Sequence, residues 1–360
     1  MSPTSDADRG TTSDEAQVIP LHGADDRASR HPSGPIGRAR RFAERRGRPS
    51  PGSGHPAASV TSLPAPVETP VARVDDESPS RSTADRLEAL VAFAQRRVSG
   101  DYAVDEFGFD PDLTDNAVLP VLRPLYDRWF RVEVNGVHNI PADGGALLVS
   151  NHAGGLWALD ATMAAVAVRT EHPAHRHLRL LGAELIFRTP VLGAIARKAG
   201  ATMACAPDAE RLLRAGELVG VFPEGFKGIG KPFSERYKLQ RFGRGGFVHA
   251  ALRTGVPIIP VSIIGSEEIH PVLGKAKTLA RVLNLPYFPL TPTFPWLGPL
   301  GLVPLPSKWY IEFGAPITTD GYSPAAADDP AVVFDLTDQV RETIQSTLYR
   351  LLVQRRSVWR

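Results

Sequence analysis

The sequence has almost no cysteine. Cys205 is the single one in 360 residues, which excludes an intramolecular disulfide framework and a zinc site built on cysteines. No oxidising compartment is therefore required. Neither sign of charge is in excess: 41 Lys and Arg stand against 39 Asp and Glu, for a formal net charge of +2. No global field then argues for nucleic acid as a partner. No stretch reads as a clean membrane-spanning helix. The first residues, Met1-Ser2-Pro3-Thr4-Ser5-Asp6, lack the positive start and apolar core of a secretory signal, so a cytoplasmic protein is expected. A Gly-x-Ser-x-Gly nucleophile elbow is missing too, and no internal repeat is visible.

Residues 1–80 are rich in Ser, Pro, Gly, Arg, Asp and Ala and nearly free of aromatics. Such a stretch buries too little apolar surface to offset its ordering entropy, and a disordered low-complexity tail is expected. Its basic run 38–48 would touch an anionic lipid or nucleic acid, or simply be a solvated charge run, the plainer reading. Periodic pattern begins near Ser82, giving an N-terminal helical segment over 81–130. Its first helix, from Thr83, puts Leu87, Leu90, Val91 and Ala94 on one face, and a second is expected over 118–130. Residues 101–115 read as acidic and turn-like.

Short apolar runs then alternate with helical ones. Strands are expected at 132–134, 146–150, 178–182, 216–222, 256–264 and 309–313. Helices are expected at 161–168, 190–199, 209–215 and 245–254, the last stopped by Gly255, with a closing helix over 332–352. Apolar strands between helices predict an α/β fold: a mixed, largely parallel sheet covered by helices. The main domain spans 131–320, and a C-terminal helical segment, 321–360, packs on it.

Asn151-His152-Ala153-Gly154-Gly155 follows the apolar run Ala146-Leu147-Leu148-Val149-Ser150 directly. His152 therefore sits where a strand ends and a helix is about to begin, a position facing the open crevice of an α/β sheet. Asp160 lies far enough along to return to the histidine and make a general-base pair. A structural His-Gly-Gly turn is the plainer alternative. Phe222-Pro223-Glu224-Gly225 follows another buried strand. Lys227, Lys231, Arg236, Lys238, Arg241 and Arg244 come next within twenty residues, which suggests an anion site with phosphate as the obvious anion, or a solvated basic loop.

His152 with a downstream Asp, then Phe-Pro-Glu-Gly at 222–225, then Val-Pro-Ile-Ile-Pro-Val at 256–261, resembles the glycerolipid and lysophospholipid acyltransferases, over roughly residues 120–320. The resemblance implies that 131–320 is an acyltransferase domain and that His152 removes a proton from the acceptor hydroxyl with Asp160 orienting it. It implies acceptor binding by Arg188, Phe222, Pro223, Glu224 and Gly225, to which Lys227 of the basic run is added as a substrate-binding residue, and an acyl-donor side shaped by Val256, Pro257 and Pro260. It implies an acyl-CoA or acyl-carrier protein as co-substrate, a lipid acceptor, and no cofactor. In the common form of the family the Asp lies five residues after the His. Here position 157 is Trp and the first Asp is Asp160, eight residues on. Longer glycine-containing loops occur in branches near the mono- and diacylglycerol acyltransferases, which moves the expected acceptor away from lysophosphatidate. The alternative reading is a non-catalytic lipid-binding protein that retains the fold.

An acyl thioester is already activated and needs a deprotonated alcohol, so direct attack is expected rather than an acyl-enzyme. Cys205 has no base nearby in sequence and reads as inert. The stretch Gly225-Phe226-Lys227-Gly228-Ile229-Gly230-Lys231-Pro232 nearly spells a P-loop, but Pro232 replaces the metal-holding Ser or Thr. His172, His175 and His177 read as a surface turn, with no ordered ligand spacing for a metal. From Val282 to Ser307 there is no charged residue and seven prolines occur, which forbids one continuous helix. A membrane-dipping loop is expected over 282–307, with Lys275, Lys277, Arg281 and Lys308 on headgroups, against an apolar loop packed over the core. The location expected is cytoplasmic, peripheral on the inner face of the cell membrane.

Overall fold

The computed structural model describes residues 83–359 apart from Arg244, Asn284 and Pro286, and apart from the side chains of Thr83, Arg86 and Leu156. The expected tail over 1–80, with its basic run, lies outside the described residues.

In chain order the strands are β1 Glu133–Asn135, β2 Ala146–Ser150, β3 Leu178–Gly182, β4 Thr202–Met203, β5 Leu218–Val221, β6 Ile258–Ile264, β7 Gly274–Lys275, β8 Pro289–Leu290 and β9 Tyr310–Phe313. Seven of them form one sheet in the order β1-β9-β6-β2-β5-β3-β4. All its pairings are parallel except that of β6 with β9. The mixed, largely parallel sheet expected from the sequence is thus the observed one.

The pleat explains why β2 and β6 read as unbroken apolar runs. Successive side chains point to opposite faces, and both faces are covered. Leu147 and Val149 join a core with the helices Ala206–Arg214, Gly246–Thr254 and Pro330–Gln354. Ala146 and Leu148 join a second core with Leu159–Glu171 and with Phe130 and Trp309, whose rings stack 4.4 Å apart. Each Leu or Ile fully buried this way contributes about 1.5–3 kcal/mol. Gly255 ends its helix in the left-handed region, at φ 68°, as its position after Thr254 predicts.

Pro260 lies in the middle of β6, where a missing N–H ordinarily breaks a ladder. The sheet accommodates it at an interruption. Ile258 donates to Ile317 at 2.9 Å, so position 260, two residues on, faces the same edge. There the partner strand β9 has already ended at Phe313, and Gly314 donates to the Pro260 carbonyl at 2.8 Å instead.

Helical structure begins earlier than expected after the first helix. It runs continuously over 111–129, passing through π-type turns at Thr114–Val118 and Leu125–Trp129. Asp110 caps it, accepting from the Leu113 N–H at 2.9 Å, with Pro111 in the first helical position where no N–H is needed. The acidic, turn-like composition of 101–115 hid this start. The first helix, Thr83–Ser99, is tied down through Arg96 and Arg97, which pair with Asp112 and Asp110. Its expected apolar face is present but not buried: Leu87, Leu90 and Val91 are exposed.

Candidate active site

The site lies just past the carboxyl ends of β2, β5 and β6, where side chains leave a covered sheet. Asn151 anchors the loop after β2. Its side-chain amide donates to the Ile263 carbonyl at 2.9 Å and its oxygen accepts from the Ile263 N–H at 2.8 Å. In effect it extends the β2–β6 ladder by one side chain. His152 comes next, and its backbone N–H donates to Glu224 Oε1 at 2.9 Å.

His152 Nδ1 lies 2.8 Å from Asp160 Oδ2. The same oxygen accepts from the Ala153 N–H at 2.6 Å, and Oδ1 accepts from the Ala161 N–H at 2.8 Å. The Asp160 side chain is fully buried and that of His152 is 13 % exposed. Burial alone would raise the Asp160 carboxyl. The facing His152 and these hydrogen bonds outweigh it and hold the group below its ordinary range, so it is an anion at neutral pH. An anionic carboxylate accepts only, so Nδ1 carries a proton and Nε2 is left as the basic atom. The ring packs against Phe222 with centroids 4.9 Å apart.

Eight residues separate the pair, and the two glycines make that spacing workable. A Cβ on Gly154 would stand 2.1 Å from Asp160 Oδ1, and one on Gly155 would stand 2.9 Å from His270 Nδ1. The loop therefore wraps directly onto the carboxylate on one side and a second imidazole on the other.

His270 carried no motif and its sequence context gave no signal. Its Nε2 lies 3.0 Å from the Leu302 carbonyl, which only accepts, so Nε2 bears the proton and Nδ1 is unprotonated. Burial pushes its pKa below the ordinary histidine value, keeping it neutral at pH 7. It lines a slot of about 30 Å³ beside the His152 loop, with Ala153, Gly155, Trp157, Ile229 and Tyr287. Phe294 and Leu302 close the slot from the 282–307 segment. Burial and the nearby Asp160 charge raise the Tyr287 phenol to about 12.

The remaining sequence candidates are placed differently from one another. Glu224 is buried, and both its oxygens take main-chain donors, His152 N–H and Gln240 N–H at 2.7 Å. It holds the His152 loop through that main-chain N–H. Gly225 and Lys227 are exposed at the start of the short helix Phe226–Ile229, and Pro223 accepts from the Gly243 N–H at 3.3 Å. Arg188 is 74 % exposed and pairs with Glu184 at 2.8 Å. Pro260 is buried within the sheet, opposite Val149, and does not line the slot.

The basic run does not act as one cluster. Lys231 is buried, paired with Glu267 at 2.8 Å and 3.7 Å from Glu224. The near-P-loop thus has its lysine turned inward, away from any nucleotide. Glu267, just past β6, was missed; two adjacent acids after a largely apolar strand were the available signal. Burial raises its carboxyl to about 7 against the pull of Lys231. The three histidines of the 172–177 turn have separate partners: His172 faces the Ile140 carbonyl, His175 the Arg169 carbonyl and His177 Asp115. Among the described residues no group of ligands is placed to hold a metal ion. Burial raises the Cys205 thiol, with Asp208 adding to it, which leaves little thiolate.

A family model described as Acyltransferase matches residues 131–264, which contain every residue of this site up to the end of β6. An uncharacterized protein of Mycobacterium tuberculosis is 61 % identical over 283 residues, 79 % of each chain. One of Mycobacterium leprae is 58 % identical over 286 residues, covering 79 % of this chain and 78 % of its own. Among solved structures, the 1-acyl-sn-glycerophosphate acyltransferase of Thermotoga maritima is similar at 18 % identity, with a TM-score of 0.43, over 76 % of this chain and 98 % of that one.

Proposed function

The chain belongs to the acyltransferase family, and from that premise we propose that it is a peripheral membrane O-acyltransferase moving a fatty acyl group from an acyl thioester to a glycerolipid or lysophospholipid hydroxyl. The observation that carries the reading is the His152–Asp160 pair at 2.8 Å, with the imidazole partly open to solvent. A scaffold that had lost its chemistry would have no use for a buried, ionised carboxylate holding one histidine tautomer.

The steps follow from the atoms. His152 Nε2 takes the proton of the acceptor hydroxyl as its oxygen attacks the thioester carbonyl, and Asp160 stabilises the imidazolium. The tetrahedral intermediate expels the thiolate, which takes the proton back from His152. The balance needs no further reactant and no cofactor. The acyl chain enters the slot beside Gly155, but that slot offers only about 30 Å³, far below the roughly 300 Å³ at which ligand pockets begin. The 282–307 segment therefore has to move outward for a chain to bind.

Its outer face supports contact with a lipid surface. Trp296, Leu297, Leu300 and Val303 are exposed, and Lys275, Lys277 and Arg281, which precede them in the chain, are exposed as well. Exposed apolar side chains together with exposed cations suit the headgroup region. Lys308 leaves this set, since it is buried and paired with Glu133 at 2.7 Å. No described helix is long and apolar enough to cross a membrane, in keeping with a peripheral placement, which we assign to the inner face of the cell membrane.

The test is transfer from labelled acyl-CoA and acyl-carrier protein to lysophosphatidate, other lysolipids, and mono- and diacylglycerol. His152→Ala is expected to lower the rate by at least about 100-fold, the smaller end of what a general base supplies. Asp160→Asn should lower kcat with KM little changed. Transfer that survives in His152→Ala would overturn the mechanism.

A further inference from the structure

A second cleft of about 550 Å³ lies between residues 236–237 and the turn 355–358 that follows the last helix. Its lining includes Arg236, Arg355, Arg356 and Ser357, with one acid, Glu268. None of these is a hydrogen-bond partner of His152 or Asp160.

The charges in it do not cancel. Glu268 is taken: it accepts from the Tyr237 hydroxyl and from Arg355 Nη1 at 2.9 Å. Arg355 Nη2 is committed to the Lys308 carbonyl at 2.7 Å. That leaves Arg236 and Arg356, both exposed, with no acid in ion-pair range among the described residues. Lys308, whose carbonyl Arg355 holds, is itself paired with Glu133. Arg236 is nonetheless held in place, its guanidinium stacked 4.5 Å from the Phe233 ring and bonded to the Phe233 carbonyl at 3.3 Å.

Two further donors belong to residues that line the cleft. Arg355 Nε is buried with no hydrogen-bond partner. The Ser357 oxygen accepts from the Trp359 N–H at 3.2 Å, which leaves its own proton to donate. Two unpaired guanidinium groups balance a dianion, and their planar forks match tetrahedral oxygens. The volume exceeds that of a bare ion and has room for the group that carries it.

We propose that this cleft binds a phosphate monoester dianion, gripped by Arg236 and Arg356 with Arg355 Nε and Ser357 as additional donors. The shared chemistry has two sources, the headgroup of an anionic lipid or the phosphate of a nucleotide-type carrier. The site does not depend on the acyl-transfer reading, because binding is measured without turnover.

The experiment titrates the full chain in phosphate-free buffer with inorganic phosphate and with adenosine 3′,5′-bisphosphate, by calorimetry. Flotation with phosphatidylcholine vesicles, with and without phosphatidate, runs in parallel. The comparison is Arg236→Gln/Arg356→Gln, whose surface positions leave folding intact, checked by an unchanged Tm. A nucleotide source predicts that the bisphosphate binds and weakens by about tenfold or more in the double variant, the loss of charge-assisted hydrogen bonds. A lipid source predicts that the phosphatidate-dependent part of flotation is lost in the variant while the soluble phosphates bind weakly. Wild type that binds none of these, or a double variant that binds them equally well, would overturn the site.

Discussion

Gly154 is where a single atom decides whether the His152–Asp160 hydrogen bond exists. An alanine there would place its Cβ 2.1 Å from Asp160 Oδ1 and 2.4 Å from the Asp160 nitrogen, and neither the buried carboxylate nor the backbone has room to move. Gly154→Ala is therefore expected to lower acyl transfer to the level of Asp160→Asn and to cost about 1–3 kcal/mol of stability, as overpacking does. Gly243→Ala is the control, since nothing lies within 4 Å of its Cβ; urea unfolding and activity should both match wild type. Wild-type activity in Gly154→Ala would mean that Asp160 does not act through the geometry described. His152 and Asp160 were readable as a pair because a strand end, two glycines and a helix start are local signals. Glu224 was readable as a motif but not in its role, because the N–H it holds lies 72 residues away in sequence. His270 was not readable at all, since what brings it to Gly155 is the packing of the segment after β6.

Among the elements, the first helix and the 282–307 segment share one property: apolar faces that the rest of the described chain leaves uncovered. Sequence periodicity identified the helix face of Leu87, Leu90 and Val91, but periodicity says only that a face is apolar, not what covers it. The structure leaves these residues exposed and divides the 282–307 segment in two. Tyr287, Pro289 and Gly301 face inward, whereas Trp296, at 75 % exposed, and Leu300, at 73 %, face outward. The inward side is the loop packed over the core, and the outward side is the face proposed to meet lipid. Leu87→Ser/Leu90→Ser and, separately, Trp296→Ser/Leu300→Ser are expected to reduce flotation with anionic vesicles while changing stability by no more than about 0.5 kcal/mol, as exposed sites do. Unimpaired flotation in both variants would remove the lipid surface as the occupant of these faces.

For the molecule as a whole, Asp160 and Glu267, both buried near the site, set opposite pH trends. Asp160 is held below its ordinary range, so its contribution is present above the unfolded value and lost as pH falls through the folded one. Glu267 is raised to about 7. The folded state then holds a proton that the unfolded chain releases, and stability falls as pH rises from the ordinary carboxylate value to about 7. Glu267→Gln removes that slope. Its stability relative to wild type should increase by about 1–3 kcal/mol between pH 5 and pH 8, read from denaturant midpoints at both values; a difference flat in pH would contradict the raised carboxyl. What the sequence by itself determined is the class of fold and the position of His152, because alternating apolar strands and helices, glycine stops and a polar residue at a strand's end are all set within a few neighbours. What only the tertiary structure decided is which groups meet. Lys231 left the basic run to pair with Glu267, Arg188 turned to solvent beside Glu184, and Arg236 came to stand with Arg355 and Arg356. Burial and charge pairing act between residues far apart in the chain, and no local pattern carries that information.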